Sequence, residues 1–300
     1  MPKRRYRFFQ IGFFILLILM GLTVWRNYDY WVFKLLIADN YIFADALDIV
    51  YSQSIGADNV KGYHRDFDRM VMAVVTDRLR AAANDRYTYL YTPKGYKISK
   101  SSEKEDAKKA YYEEVNSATA LLYLPNISKL TRRFVYENKE ALNEYDNLIL
   151  DLRGNYGGLL NDFYRIAELF IEKGGTLGYE RTRLPFLSHE VKAKKDVYFN
   201  FENILIFQDG YTASAAEGLI LALKQNVENV ALMGDITFGK GVGQVTIPLT
   251  GGYAARATVL LVEGPDGESI HRAGIAPDIY SDEREKIAEI MGLISGEDAY

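Results

Sequence analysis

The chain has no cysteine among its 300 residues. That absence excludes disulfides, thiolate metal sites and cysteine nucleophiles, and it leaves the fold independent of the redox compartment. Histidine is scarce too: His64, His189 and His271 are the only three, so imidazole chemistry has few candidates. Acidic residues are missing from the first 26 positions, which carry Lys3, Arg4, Arg5, Arg7 and Arg26. The remainder holds 31 basic against 40 acidic residues, a net of −9. A basic leader on an acidic body is a poor nucleic-acid binder by charge, and no nucleic-acid partner is expected. A composition 48% hydrophobic and 25% charged excludes disorder and collagen and suits one large or two small globular domains.

The leader, residues 1–26, reads as a transmembrane anchor. Phe8 to Trp25 is interrupted only by Gln10, Gly12, Gly21 and Thr23. At 1.5 Å per residue such a helix crosses roughly 27 Å of hydrocarbon. No small-x-small cleavage site follows the apolar run, so an uncleaved single-pass anchor is expected rather than a signal peptide. Basic residues stay inside, which puts the N-terminus in the cytoplasm and residues 27–300 outside the cell membrane. Trp25, Tyr28, Tyr30 and Trp31 then fall in the interfacial aromatic belt.

Residues 27–95 show apolar positions at helical spacing, such as Leu35, Ile37 and Ala38, then Met70, Val71, Val74 and Leu79. They predict a small helical region that ends in an extended, tyrosine-rich stretch, Tyr87 to Pro93. Residues 96–117 are largely polar and charged and read as a solvated linker or the start of an exposed helix. From 118 to 300 short strands alternate with helices. Strands are expected over 118–124, 147–152 and 203–207, and helices over 128–145, 159–173 and 212–224, an α/β layer structure with a partly parallel sheet. A strand pair over 245–249 and 254–262 and an amphipathic closing helix from Asp282 complete the pattern.

Three loops in this region can carry chemistry. Asp151-Leu-Arg-Gly-Asn-Tyr-Gly-Gly158 joins a strand to a helix. Its glycines either cradle an anion or oxyanion with backbone N–H groups or simply supply a tight turn at positive φ. Asp209-Gly-Tyr-Thr-Ala-Ser214-Ala-Ala-Glu217 sits at another such junction. There Ser214 is either the N-cap of a Ser-x-x-Glu capping box or a nucleophile at a helix N-terminus. It is not a G-x-S-x-G elbow, which disfavours a lipase-type hydrolase. Gly234-Asp-Ile-Thr-Phe-Gly-Lys240-Gly-Val-Gly-Gln244 resembles a phosphate loop, but Gly241 stands where Ser or Thr should hold magnesium and a strand follows instead of a helix. Lys240 is then a solvated loop residue or a buried base, and desolvation lowers a lysine pKa toward neutral. A neutral lysine can take the proton of a serine hydroxyl without any histidine.

Together the segments Asn147 to Gly158, Thr212 to Glu217 and Thr237 to Gln244, with Asp85 to Pro93 before them and Gly274-Ile-Ala-Pro-Asp278 after them, resemble the C-terminal processing, or tail-specific, serine proteases. The resemblance implies a ClpP/crotonase-like α/β core with a mixed sheet, and a serine-type endopeptidase acting on polypeptides. It implies Ser214 as nucleophile, Lys240 as general base and Gln244 as the residue orienting the lysine. The backbone N–H of Ala215, with that of Gly157 or Gly158, would form the oxyanion hole. No metal and no cofactor are implied. The alternative is a non-catalytic peptide-binding scaffold of the same fold. Family members usually carry Ser at the position of Ala216 and Pro at that of Tyr156. They also insert a PDZ domain where this chain has only the stretch between Pro93 and Ala118, too short for a strand-addition groove. An activating or adaptor protein, or a homo-oligomer, is compatible with the chain.

Overall fold

Leu148-Ile-Leu150 and Ile204-Leu-Ile206 are apolar at every position, which suits strands covered on both faces. In the computed structural model, which describes residues 2–47 and 69–281, these runs form neighbouring strands in the middle of a sheet. The elements in chain order are α1 (Pro2–Arg26), α2 (Tyr28–Phe33), a π-helical turn (Lys34–Asp39), α3 (Arg69–Ala83), β1 (Tyr89–Tyr91), α4 (Pro93–Ala107), β2 (Tyr111–Asn116), β3 (Thr119–Tyr123), α5 (Lys129–Leu142), β4 (Asn147–Asp151), α6 (Leu160–Ala167), β5 (Thr176–Thr182), β6 (His189–Lys192), β7 (Asn203–Gln208), α7 (Ala215–Asn226), β8 (Val230–Gly234), β9 (Val242–Pro248), β10 (Ala254–Glu263) and β11 (Ile279–Tyr280). Two compact units result. One comprises Met1–Tyr96 with Gln244–Val259, the other Lys97–Gly243 with Leu260–Tyr300.

In the first unit, Val32, Phe33, Leu36 and Ile37 pack with Met72, Val75 and Leu79 of α3 and with Leu249, Ala255 and Ala257. The buried Asp85 carboxylate sits at the end of this core and accepts hydrogen bonds from Tyr41 Oη (3.0 Å), Tyr87 N–H (2.9 Å) and Thr258 Oγ1 (3.3 Å). Burial, and then the Asp85 charge, push the Tyr41 phenol far above its ordinary range. Asp85→Ala is expected to destabilise this unit by about 2–3 kcal/mol, because it orphans buried donors; a thermal midpoint equal to wild type would show that water replaces the carboxylate.

Among the described residues no single helix is long and apolar enough to cross a membrane. Ile11–Arg26 and Tyr28–Asp39, bent by 70°, pass that test together by length and composition. The apolar side chains from Ile11 to Val24 are exposed.

In the second unit the sheet order is β11-β8-β7-β4-β3-β2, with β3, β4, β7, β8 and β11 mutually parallel and β2 antiparallel at the edge. Tyr123, Asp151 and Phe207 lie abreast where β3 and β4 end, one residue short of the end of β7. The loops that follow β4, β7 and β8 therefore leave from one carboxyl edge, where open parallel sheets place their sites. Leu148, Leu150, Ile204 and Ile206 face the cluster that also takes in Val135, Phe163 and Ile220 from α5, α6 and α7. On the other face Ile149, Leu205 and Met233 form a smaller cluster. Gly218 lets α7 approach α6, since a Cβ there would lie 2.9 Å from Phe163 Cε1.

The expected alternation of strands and helices is present, with three differences. Residues 96–117 form the rest of α4 and the edge strand β2. Their charges sit on exposed faces, and of α4 only Ala107 is buried. The helix expected over 159–173 stops at Ala167, where the chain tightens into a turn and the buried Glu168 accepts from Lys194 N–H at 2.8 Å. The hairpin of β5 and β6, paired to Leu260–Glu263 of β10, was not anticipated. The closing helix expected from Asp282 lies outside the described residues.

Candidate active site

The loop after β4 is built on three polar side chains. Arg153 closes a bidentate pair on Asp151 (2.9 and 2.6 Å), and hydrogen bonding to that carboxylate raises the guanidinium's affinity for its proton. Asp209 accepts from Gly154 N–H (3.1 Å) and from Tyr211 and Thr212 N–H (2.9 Å each), tying this loop to the one after β7. Asn155 is fully buried. Its amide donates to Leu124 O (2.8 Å) and its carbonyl oxygen accepts from Gly157 N–H (2.9 Å), while its backbone oxygen accepts from Ala213 N–H (2.9 Å).

These bonds press Gly157 against the serine. A Cβ on Gly157 would lie 2.8 Å from Ser214 Cβ and 2.9 Å from Ala215 N. A Cβ on Gly158 would collide with the Ile127 carbonyl oxygen, which Leu159 N–H holds at 2.9 Å. Both glycines are thus fixed by close approach, with a positive φ at Gly157 of 90°. Because Gly157 N–H is spent on Asn155, the two sequence candidates for an oxyanion donor are no longer equal. Among the described residues neither Gly158 N–H nor Ala215 N–H makes a hydrogen bond.

Ser214 stands between β7 and α7 at φ 59° and ψ −120°. A non-glycine residue in that region stores about 1–3 kcal/mol of strain. Although the sequence lacks G-x-S-x-G, the turn is therefore a strained strand-to-helix elbow of the kind that lifts a nucleophile clear of the sheet. Of the capping box, the bond in which Ser214 N–H donates to Glu217 Oε2 is 2.7 Å long.

Glu217 does more than cap. It is fully buried, and besides Ser214 N–H it accepts from Lys240 N–H on the same oxygen (2.9 Å) and from Gly239 N–H (2.7 Å) and Thr237 Oγ1 (2.6 Å) on Oε1. All four acceptor sites of a carboxylate are used. The backbone nitrogens of Ser214 and Lys240 therefore share one oxygen and lie no farther apart than two hydrogen bonds end to end. Lys240 itself is half-buried.

The glycines around Lys240 are explained by the segment 271–275. A Cβ on Gly239 would lie 2.9 Å from Gly274 N, and one on Gly241 2.7 Å from His271 N. Ile275 N–H donates to Thr237 Oγ1 (2.8 Å), Thr237 N–H to Ile275 O (3.2 Å) and Arg272 N–H to Gly239 O (2.8 Å). The Gly274-Ile-Ala-Pro-Asp278 motif is thus a clasp on the lysine loop.

Of the residues singled out in the sequence, Ser214, Ala215, Gly157, Gly158 and Lys240 lie in the second unit around these shared bonds. Gln244 belongs to the first, where its Oε1 accepts from Arg256 Nη2 at 3.0 Å. Arg256 also donates to Tyr91 Oη at 3.2 Å, and Tyr91 accepts from Tyr89 Oη at 2.7 Å. The sequence reading missed Asn155, Asp209 and Thr237, and it saw Glu217 only as a cap. Asn155 and Asp209 make local turn bonds, but the bonds that join the loops, to Leu124, Ala213 and Gly154, and those of Thr237 to Glu217 and Ile275, span 20 residues or more and leave no local mark.

A family model described as peptidase family S41 matches residues 118–281. Over 132 residues, 44% of its length, the chain is 39% identical to carboxy-terminal processing protease CtpA of Bacillus subtilis, of which it covers 28%. It is 34% identical over 138 residues to a probable CtpA-like serine protease of Staphylococcus epidermidis, covering 27% of that protein. The chain thus spans under a third of the length of these curated relatives. In fold it is similar to the photosystem II D1 C-terminal processing protease, with a TM-score of 0.62 at 15% identity over 91% of this chain and 97% of that one. It is also similar in fold to a lipoprotein from Streptococcus agalactiae, with a TM-score of 0.61 at 20% identity over 80% and 89%.

Proposed function

Because the chain belongs to peptidase family S41, we propose that it is a serine endopeptidase of the C-terminal processing type, with Ser214 as nucleophile and Lys240 as general base. One observation carries the reading: a single buried carboxylate oxygen, Glu217 Oε2, receives the backbone N–H groups of both residues. That bond pair sets the origin of the two side chains.

Lys240 takes the Ser214 proton as Oγ attacks the scissile carbonyl carbon. The developing oxyanion accepts from Ala215 N–H and Gly158 N–H, two donors with no other acceptor among the described residues. The lysine then gives its proton to the leaving amine, and a water activated by the same base hydrolyses the acyl-enzyme. Gln244, on the strand that follows, is assigned the orienting role by the family pattern alone.

The basic leader and the exposed apolar side chains of α1 support a membrane anchor that holds the enzyme outside the cytoplasm of a bacterium. Its substrates are then extracytoplasmic polypeptides.

Full-length chain in lipid nanodiscs is expected to fragment an unfolded test polypeptide, and Ser214→Ala to remove that cleavage while keeping the thermal midpoint. Equal fragmentation by wild type and variant would overturn the assignment.

A further inference from the structure

The three loops invert the usual burial pattern. In each, a polar residue is buried and an apolar neighbour is exposed. Asn155 is buried beside Tyr156, Thr212 beside Tyr211, and Thr237 between Ile236 and Phe238. The apolar side chains keep 45% (Tyr156), 76% (Tyr211), 48% (Ile236) and 43% (Phe238) of their surface in contact with solvent, and Leu159, next to Gly158, keeps 56%. Single exposed apolar residues are ordinary, but a cluster of them marks a contact surface.

These residues are clustered by bonds already described. Tyr156 precedes Gly157, which lies against Ser214 Cβ. Tyr211 is three residues before the serine, and Phe238 N–H donates to Thr212 O at 2.9 Å. Ile236 O lies 3.9 Å from a Cβ position on Gly210. The buried polar partners hold the backbone, through Glu217, Leu124 O and Leu152 O, so folding accounts for the polar half of the pattern. In the apolar half Tyr156 Oη donates to Asp106 Oδ2 at 3.4 Å, and all five side chains still present surface to solvent.

We propose that Tyr211, Phe238, Ile236, Tyr156 and Leu159 form a rim that selects substrate, and that the class it selects is an extended polypeptide carrying large apolar side chains next to the cleaved bond. The inference rests on the serine-peptidase reading for the bond that is cut, but not for the binding. An aromatic side chain gives large contact area for little ordering cost, and discrimination by apolar contact reaches roughly 10- to 100-fold per site.

The test uses full-length protein in lipid nanodiscs and two unstructured peptides of equal length and charge. One carries Phe and Leu around a central bond, the other Ser and Ala. Wild type is expected to cleave the apolar peptide with a kcat/KM about tenfold or more above that of the polar one. The double variant Tyr211→Ser, Phe238→Ser should lose most of that ratio through KM, and circular dichroism should show it folded. In parallel, fluorescence anisotropy on Ser214→Ala should show binding of the apolar peptide that the added rim substitutions weaken. A preference that survives the double variant, or a wild-type preference for the polar peptide, overturns the rim. Apolar-dependent binding without any cleavage would keep the rim and discard the peptidase reading. Neither binding nor cleavage of the apolar peptide would discard both.

Discussion

Glu217→Ala is expected to lower the thermal midpoint by about 10 °C and to cut kcat/KM by about 100-fold or more in the molecules that stay folded. The reason lies in what the carboxylate accepts. Removing it orphans four donors in a fully buried position. Loss of a buried network of this kind belongs to the small class of substitutions that cost about 4 kcal/mol or more. The activity loss has a separate origin, because Ser214 and Lys240 then take their positions independently, and a displacement of about 1 Å is enough for the predicted fall. Glu217→Gln distinguishes geometry from mere occupancy. Each carboxylate oxygen accepts two donors here, so an amide must present its NH2 to two N–H or O–H groups wherever it points. Gln should therefore behave nearly as badly as Ala. Near-wild-type stability and activity in Glu217→Gln would show that the shared carboxylate does not set the geometry.

Lys240→Ala separates chemistry from folding in the opposite sense. The Lys240 bond to Glu217 is made by the backbone N–H, and the flanking glycines are fixed by contacts of their own with the segment 271–274. Alanine preserves all of these, so the thermal midpoint should stay close to wild type. Peptide cleavage should nevertheless fall by about 10²- to 10⁴-fold, the range for loss of a general base. Lys240→Arg should fail equally, since a guanidinium keeps its proton and cannot serve as a base. Substantial activity in Lys240→Arg would point to a role for charge rather than for proton transfer, and would remove Lys240 from the proposed mechanism.

The sequence carried the parallel core well because its signals are local. Asn147–Asp151 and Asn203–Gln208 are short apolar runs bounded by polar turns, and α5 begins at Ser128, whose reciprocal bonds with Thr131 form a capping box. The Gly157-Gly158 pair and the Gly239-Lys240-Gly241 run were legible as special backbone. What they touch was not. Ile127 and His271 are each about 30 residues away along the chain, and no periodicity connects them. Glu217 is the sharpest case: Ser-x-x-Glu announces a cap, while the donors that make it a hub come from Thr237, Gly239 and Lys240. For residues 96–117 the exposed helix was one of the two readings, and the edge strand β2 was not read. An exposed helix and an edge strand with outward charges have little hydrophobic pattern to read. The chain's lack of cysteine and its few histidines fit a mechanism that needs neither residue.

The central claim is that Ser214 is a nucleophile activated by Lys240. It is tested most directly by treating full-length protein with a serine-reactive fluorophosphonate and mapping the adduct by mass spectrometry. The account predicts one stoichiometric adduct, on Ser214, that is lost in Lys240→Ala under identical conditions while the protein stays folded. No adduct on Ser214, or equal labelling with and without the lysine, would contradict it.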